Sequence, residues 1–141
     1  MTQSGYTFIE LLLVIGLVAI LAASATPFFS NFLLRNNYET TADALVSTLR
    51  KAQSYSLQNK NNAVWGACLS SGKIRLYRGT CASPTFSEDF SVPSTITITG
   101  FTDTAFSRPR GEPSGSLAIS VTSAIGAKTV TVSAAGMITR N

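Results

Sequence analysis

The chain contains no histidine and only two cysteines among its 141 residues. Structural zinc sites take their ligands from cysteine and histidine, so we expect no metal site. General acid–base catalysis most often uses histidine, and the seven aspartates and glutamates offer few replacements. The sequence therefore predicts a protein that is not an enzyme and that uses neither a metal nor another cofactor.

The short motifs of catalytic proteins are poorly matched. Ser70-x-x-Lys73 has the spacing of a serine-acylase signature, but it lies on a predicted hairpin turn and not at the start of a helix. Glu88 and Asp89 are adjacent, so on a strand they would point to opposite faces and could not act as a catalytic pair. Both observations agree with the prediction of a non-enzyme.

Charged residues are also lacking between Leu11 and Leu34. Twenty helical residues span roughly 30 Å, about the hydrocarbon thickness of a bilayer, so residues 7–26 can cross a membrane as one helix. Glu10 is the exception, a carboxylate one turn inside the apolar segment. An acid at the centre of a membrane helix costs about 2.5–3.5 kcal/mol on insertion scales, and less near the interface. Such a group normally has a partner or a function.

Cleavage of the chain after Gly5 would give Glu10 a partner. Tyr6 would become the first residue, and its free amine would lie one helical turn from the carboxylate. The same carboxylate could instead reach the terminal amine of a neighbouring copy.

The residues Gly5-Tyr6-Thr7-Phe8-Ile9-Glu10-Leu11-Leu12 resemble the prepilin (class III signal) motif of type IV pilins and type II secretion pseudopilins. The resemblance implies that a prepilin peptidase cuts after Gly5 and methylates the new N-terminus at Tyr6. It also implies that Glu10 guides docking of the subunit into a filament. Pro27 matches a proline that recurs in the same helix of that family, and we expect a kink there.

Three other interpretations of this segment remain open. Thr7-x-x-Glu10 before an apolar run fits a helix capping box, which explains Glu10 but not Gly5. Residues 23–25 form the A-x-A pattern of an ordinary secretory signal, which would leave Thr26 as the first residue of a secreted β-domain. A plain single-span anchor would leave the cost of Glu10 unexplained.

Beyond the apolar segment the hydrophobic period changes twice. Tyr38, Ala42, Leu45, Leu49 and Ala52 recur at helical spacing and predict an amphipathic helix that ends at residues 60–62. From residue 63 onward the pattern predicts antiparallel strands. We expect hairpins at 63–78 and 117–132, strands at 86–90, 95–99 and 136–140, and a mobile loop at 103–115.

The later stretches resemble the GspH/FimT family of pseudopilins and minor pilins, namely LVSTLRKAQSYSLQNKNNAVWGAC, SGKIRLYRG and TVTVSAAGMITR. The resemblance implies an α+β pilin fold, with a long helix packed on an antiparallel β-sheet. It divides the chain into a leader (1–5), a transmembrane and filament-core helix (6–27), the amphipathic half of the helix (28–62) and a β-sheet region (63–141). It places the protein in the bacterial inner membrane, with the β-sheet region outside, and later in a pilus or pseudopilus. Its partners there are the peptidase and other pilins.

Cys68 and Cys81 are expected to pair if this region lies outside the cytoplasmic membrane, where disulfides are the default.

DNA binding is the functional alternative. Some FimT-branch proteins bind DNA through a C-terminal Gly-Arg-x-Arg motif, of which residues 136–140 keep Gly136 and Arg140 but lack the first arginine. The net charge of +4 is modest, so scattered solvated cations are the competing interpretation. The possible DNA contacts are Lys73, Arg75, Arg78, Arg108, Arg110 and Arg140.

Overall fold

The structure is a computed structural model that describes residues 5–141, apart from the side chains of residues 25–28. The described part contains one long helix, a 3-10 helix at Lys60–Asn62 and eight strands. These are α1 (Phe8–Leu57), β1 (Trp65–Ser70), β2 (Lys73–Gly79), β3 (Pro84–Ser91), β4 (Thr97–Thr99), β5 (Thr104–Phe106), β6 (Leu117–Ser123), β7 (Gly126–Val132) and β8 (Ile138–Arg140).

The chain forms two compact units, one ending at Leu33 and one comprising Leu34–Asn141. The first unit contains the apolar part of α1, whose large apolar side chains are exposed from Phe8 to Leu21 and again at Phe29, Phe32 and Leu33. This helix is long and apolar enough to cross a membrane, as predicted. The kink expected at Pro27, and the role in assembly given to that residue, lie outside the described side chains.

The second unit is built on the amphipathic half of α1. The predicted seam is confirmed, because Leu45, Leu49 and Ala52 are fully buried in the core, together with Tyr38. The charged residues of this half of the helix lie outside the seam and are exposed or half-buried, namely Arg35, Glu39, Asp43, Arg50 and Lys51. The helix therefore supplies the central element against which both sheets bury their apolar faces.

The helix ends earlier than predicted. Regular helix stops at Leu57, and the chain then turns through Asn59, Asn61 and Asn62, whose φ angles are 48°, 58° and 50°. Asparagine is among the few residues other than glycine that adopt this left-handed conformation readily. The asparagines therefore let the chain leave the helix and enter β1.

The strands form two antiparallel sheets, where the sequence predicted one. Sheet A has the order β3-β2-β1-β5, and sheet B has the order β4-β6-β7-β8. The expectation of a single sheet was wrong because local alternation shows which residues form strands but not which strands pair. The inward side chains of both sheets meet α1 in one core, including Ile74, Leu76, Val121 and Val130.

The two predicted hairpins are present. β1 and β2 are joined through Ser71 and Gly72, whose φ angles of 51° and 70° are those that tight hairpin turns favour. β6 and β7 pair from Leu117–Val132 to Ser123–Gly126. β3 is an eight-residue strand, longer than expected, and β4 is shorter than expected.

The stretch predicted to be a mobile loop contains β5 and a hydrogen-bonded turn. Phe106 of β5 is fully buried, and the Ser107 N–H donates to the Glu112 carbonyl at 2.8 Å. The Gly111 N–H donates to the Ser107 carbonyl at 2.8 Å, and the Ser114 N–H donates to the Ala105 carbonyl at 2.9 Å. Proline and glycine here shape a tight turn instead of marking an unstructured segment.

Cys68 of β1 and Cys81 of the β2–β3 connection form a disulfide, as predicted, with their Cα atoms 6.3 Å apart. A loop of this length contributes about 3 kcal/mol in the chain-entropy account of disulfide stabilisation. The bond lies beside Tyr77, which is buried on the outer face of sheet A and donates a hydrogen bond to the Asp103 carboxylate. Burial, together with Asp103, raises the pKa of the Tyr77 hydroxyl well above its ordinary value.

Candidate functional site

The N-terminal segment enters the helix through Thr7. The Thr7 hydroxyl accepts a hydrogen bond from the Glu10 N–H at 3.4 Å, and its carbonyl accepts one from the Leu11 N–H at 3.2 Å. Thr7 is therefore the N-cap residue, and half of the expected capping box is present. The reciprocal hydrogen bond, from the Thr7 N–H to the Glu10 carboxylate, is absent among the described residues.

The carboxylate of Glu10 is exposed and has no hydrogen-bond or ion-pair partner within residues 5–141. It lies with Tyr6, Leu11 and Val14 along a shallow depression of about 290 Å³. Tyr6 itself is 87% exposed. Among the described residues, the apolar part of α1 therefore carries an acid without a partner, four residues after Tyr6.

Three of the predicted basic residues lie on β2, and two of them are bound within sheet A. The Arg75 Nε and Nη2 atoms donate to the two carboxylate oxygens of Asp89 on β3, each at 2.8 Å. This contact raises the pKa of Arg75 and lowers that of Asp89. The Arg78 Nε donates to the Thr85 hydroxyl at 2.9 Å. Lys73 is exposed, and no carboxylate of the described residues pairs with it.

Arg140 is bound at the other sheet, next to α1. Its guanidinium pairs with Asp43 and lies 3.7 Å from Glu39. Lys128 of β7 also contacts Glu39, and this hydrogen bond lowers the pKa of the Glu39 carboxyl. The arginine predicted to contact DNA at the end of the chain is thus part of an ion-pair network that joins sheet B to α1.

Arg108 and Arg110 lie in the turn after β5. Arg110 is 4.0 Å from the Glu112 carboxylate, and both side chains are exposed. The Arg108 Nη1 atom donates to the side-chain oxygens of Asn59 and Asn62, at 3.1 Å and 2.8 Å. From the sequence, Asn62 was predicted only to end the helix, and Asn59 was given no role.

The structure does not gather the six basic residues into one surface. Arg140 contacts Asp43, whereas Arg108 contacts Asn59 beyond the end of α1. The fourteen helical steps from Asp43 to Leu57 correspond to roughly 20 Å. Three of the six are paired with carboxylates of this chain, namely Arg75, Arg110 and Arg140. DNA binding stays a prediction, and the pairing removes much of the positive charge it would need.

Gln53 is a positioning residue that the sequence did not single out. Its side-chain amide donates to the Gly111 carbonyl at 3.0 Å and to the Gly136 carbonyl at 2.8 Å. One side chain of α1 therefore fixes both the turn that carries Arg108 and the segment before β8. The only sign of this role in the sequence was that Gln53 is a polar residue next to the apolar seam of the predicted helix.

The described residues contain no group of three or more histidine, cysteine, aspartate or glutamate side chains that could hold a metal ion. No known protein family, curated protein or solved structure matches the chain.

Proposed function

We propose that the protein is a minor pilin or pseudopilin of the GspH/FimT type. A prepilin peptidase would cleave it after Gly5 and methylate the amine of Tyr6. The apolar part of α1 would anchor the subunit in the inner membrane and later enter the core of a type IV pilus or a type II secretion pseudopilus. Function is then assembly with other pilins, and the β-sheet region presents a surface on the filament, most naturally at its tip.

The observation that carries the proposal is the unpaired carboxylate of Glu10. An acid within an apolar membrane helix is costly unless a cation neutralises it. A free α-amine on Tyr6, or on the first residue of a neighbouring subunit, would be a cation at the membrane edge. The apolar surface of α1, which is exposed in the isolated chain, would be covered first by lipid and then by other helices.

The disulfide within the second unit supports this assignment. Disulfides persist outside the cytoplasm, where this proposal places residues 34–141. The long apolar helix followed by an antiparallel β-region is the order of elements expected for a pilin.

The mature N-terminus tests the proposal. The chain should be expressed in a bacterium that contains a prepilin peptidase, and its intact mass and N-terminal sequence determined. We expect a protein that begins at methylated Tyr6, and we expect Gly5→Ala to keep the full-length mass. Gly16→Ala is the matched control, because an added Cβ meets nothing within 4 Å at either glycine.

Two results would exclude the pilin assignment. A protein that still begins at Met1 in the presence of an active peptidase has not been processed by this route. A protein that begins at Thr26 has been cleaved by an ordinary signal peptidase, and the alternative of a secreted β-domain would then hold.

A further inference from the structure

The guanidinium of Arg108 is held in place without being neutralised. Its Nη1 atom donates to two side-chain amide oxygens, those of Asn59 and Asn62, and amides carry no charge. Within residues 5–141 no carboxylate lies within ion-pair distance of Arg108. The positive charge of this side chain therefore faces solvent in a fixed orientation.

The remaining donors of Arg108 form the edge that binds carboxylates. A guanidinium has five N–H donors, and the two on Nη1 are used by the asparagines, which leaves those on Nε and Nη2. In the same molecule Arg75 uses its Nε and Nη2 to bind both oxygens of Asp89, each at 2.8 Å. The Nε and Nη2 atoms of Arg108 could therefore bind a carboxylate in the same bidentate way as those of Arg75.

Arg108 lines a cleft that also contains two apolar side chains, those of Val64 and Pro109. Asn59, Asn62, Val64, Arg108 and Pro109 line a cavity of about 480 Å³ that opens to solvent. Val64 is 37% exposed, so its side chain is accessible to a ligand in this cleft. A cation beside apolar side chains fits a ligand that carries a carboxylate on a hydrocarbon stem.

The cleft is also preorganised. The Gly111 N–H donates to the Ser107 carbonyl at 2.8 Å and closes the turn around Arg108. The Gln53 amide then ties the Gly111 carbonyl to α1 at 3.0 Å. Because these bonds already order the turn, a ligand would not have to bear that entropic cost.

We propose that this cleft binds an acidic side chain of a partner protein, with the carboxylate on Arg108 and its stem against Val64 and Pro109. A nucleic acid is the less favoured ligand, since its phosphates are bound by several free cations at once. Arg75, Arg110 and Arg140 are each paired with a carboxylate of this chain. The inference concerns the second unit alone, so it holds whether or not Gly5 is a cleavage site.

The full-length protein in detergent, with isotope-labelled arginine, should be titrated with N-acetyl-valyl-glutamate amide while the Nε–H resonances are followed by NMR. We expect a saturable shift of the Arg108 resonance and little change at Arg75, whose edge is occupied. Arg108→Gln should weaken peptide binding at least about tenfold. Arg108→Lys should also weaken it, because lysine keeps the charge but cannot bind bidentately.

Arg110→Gln is the matched control. It removes one positive charge, as Arg108→Gln does, but at a position two residues along the chain where the arginine is already paired with Glu112. It should leave the titration unchanged. The emission of Trp65, the single tryptophan, verifies that each variant is folded.

The proposal is overturned if the same peptide with glutamine in place of glutamate shifts the Arg108 resonance as strongly. It is also overturned if Arg108→Gln binds the glutamate peptide as tightly as the unmodified chain. Equal losses in Arg108→Gln and Arg110→Gln would mean that only general charge matters. A short DNA duplex that shifts Arg108 where the peptide has no effect would assign the cleft to phosphate instead.

Discussion

Gly136 is required by the packing of the protein, although the sequence around it resembles part of a DNA-binding motif. It belongs to the segment compared with the Gly-Arg-x-Arg motif, yet its φ of 82° and its neighbours explain it without DNA. A Cβ at this position would lie 2.5 Å from the Gln53 Nε2 and 2.8 Å from the Gly111 carbonyl oxygen. Both contacts are too short, and one of them involves rigid backbone.

Gly136→Ala should therefore destabilise the protein by about 1–3 kcal/mol. Urea unfolding of the full-length chain in detergent, followed by the emission of Trp65, measures the change. Gly115→Ala is the control, because a Cβ there meets nothing within 4 Å. Equal stabilities of the two variants would show that Gln53 does not hold the Gly111 and Gly136 segments as described.

The sequence could not have identified this role. The backbone conformation of Gly136 depends on tertiary packing. So does its contact with Gln53 of α1, which lies more than eighty residues earlier in the chain. The same holds for Arg108, because the asparagines that bind it are distant in sequence. The disulfide between Cys68 and Cys81 was predictable because a chain with two cysteines allows only one pair.

At the scale of the elements, α1 and sheet B are held together by ion pairs as well as by apolar packing. Glu39 of the helix accepts a hydrogen bond from Lys128 of β7, which lowers the pKa of the Glu39 carboxyl. A carboxyl whose pKa is lower in the folded state contributes stability above its unfolded pKa, and this contribution is lost as the pH falls.

The free energy of unfolding should consequently decrease as the pH is lowered below about 5. Glu39→Gln removes the titrating group, so its stability should depend less steeply on pH in this range. Urea unfolding at a series of pH values compares it with Glu112→Gln, an exposed acid 4.0 Å from Arg110. If both variants keep the slope of the unmodified protein, Glu39 is not a source of acid sensitivity.

Local periodicity predicted the elements well and their arrangement less well. The seam of α1, both hairpins and the final strand follow from the spacing of apolar residues. β5 was missed because it has only three residues and is followed by a segment rich in proline and glycine. Such a short strand is stabilised by its pairing with β1, which the local sequence does not show. The division into two sheets depends on which strands meet, and alternation carries no information about that.

For the molecule as a whole, the proposed assembly assigns one decisive role to Glu10. Glu10→Ala should leave cleavage after Gly5 and membrane insertion intact, because the apolar helix becomes more apolar. Incorporation into filaments should fall strongly, since the terminal amine loses its counter-ion. Immunoblots of membrane and sheared filament fractions measure both, with Glu112→Ala as the control. Normal incorporation of Glu10→Ala would contradict the role assigned to this carboxylate.

The edge position of β3 has a consequence for hydrogen exchange. The Val92 N–H donates to the Gly72 carbonyl, so the register places the amides of Phe86, Glu88 and Phe90 toward β2 as well. The amides that alternate with these, at Ser87, Asp89 and Ser91, point away from the sheet, where no described strand pairs with them. Deuterium should enter these three positions quickly and their neighbours slowly, giving an alternating pattern along a single strand. Uniform protection would mean that another chain covers this edge in solution.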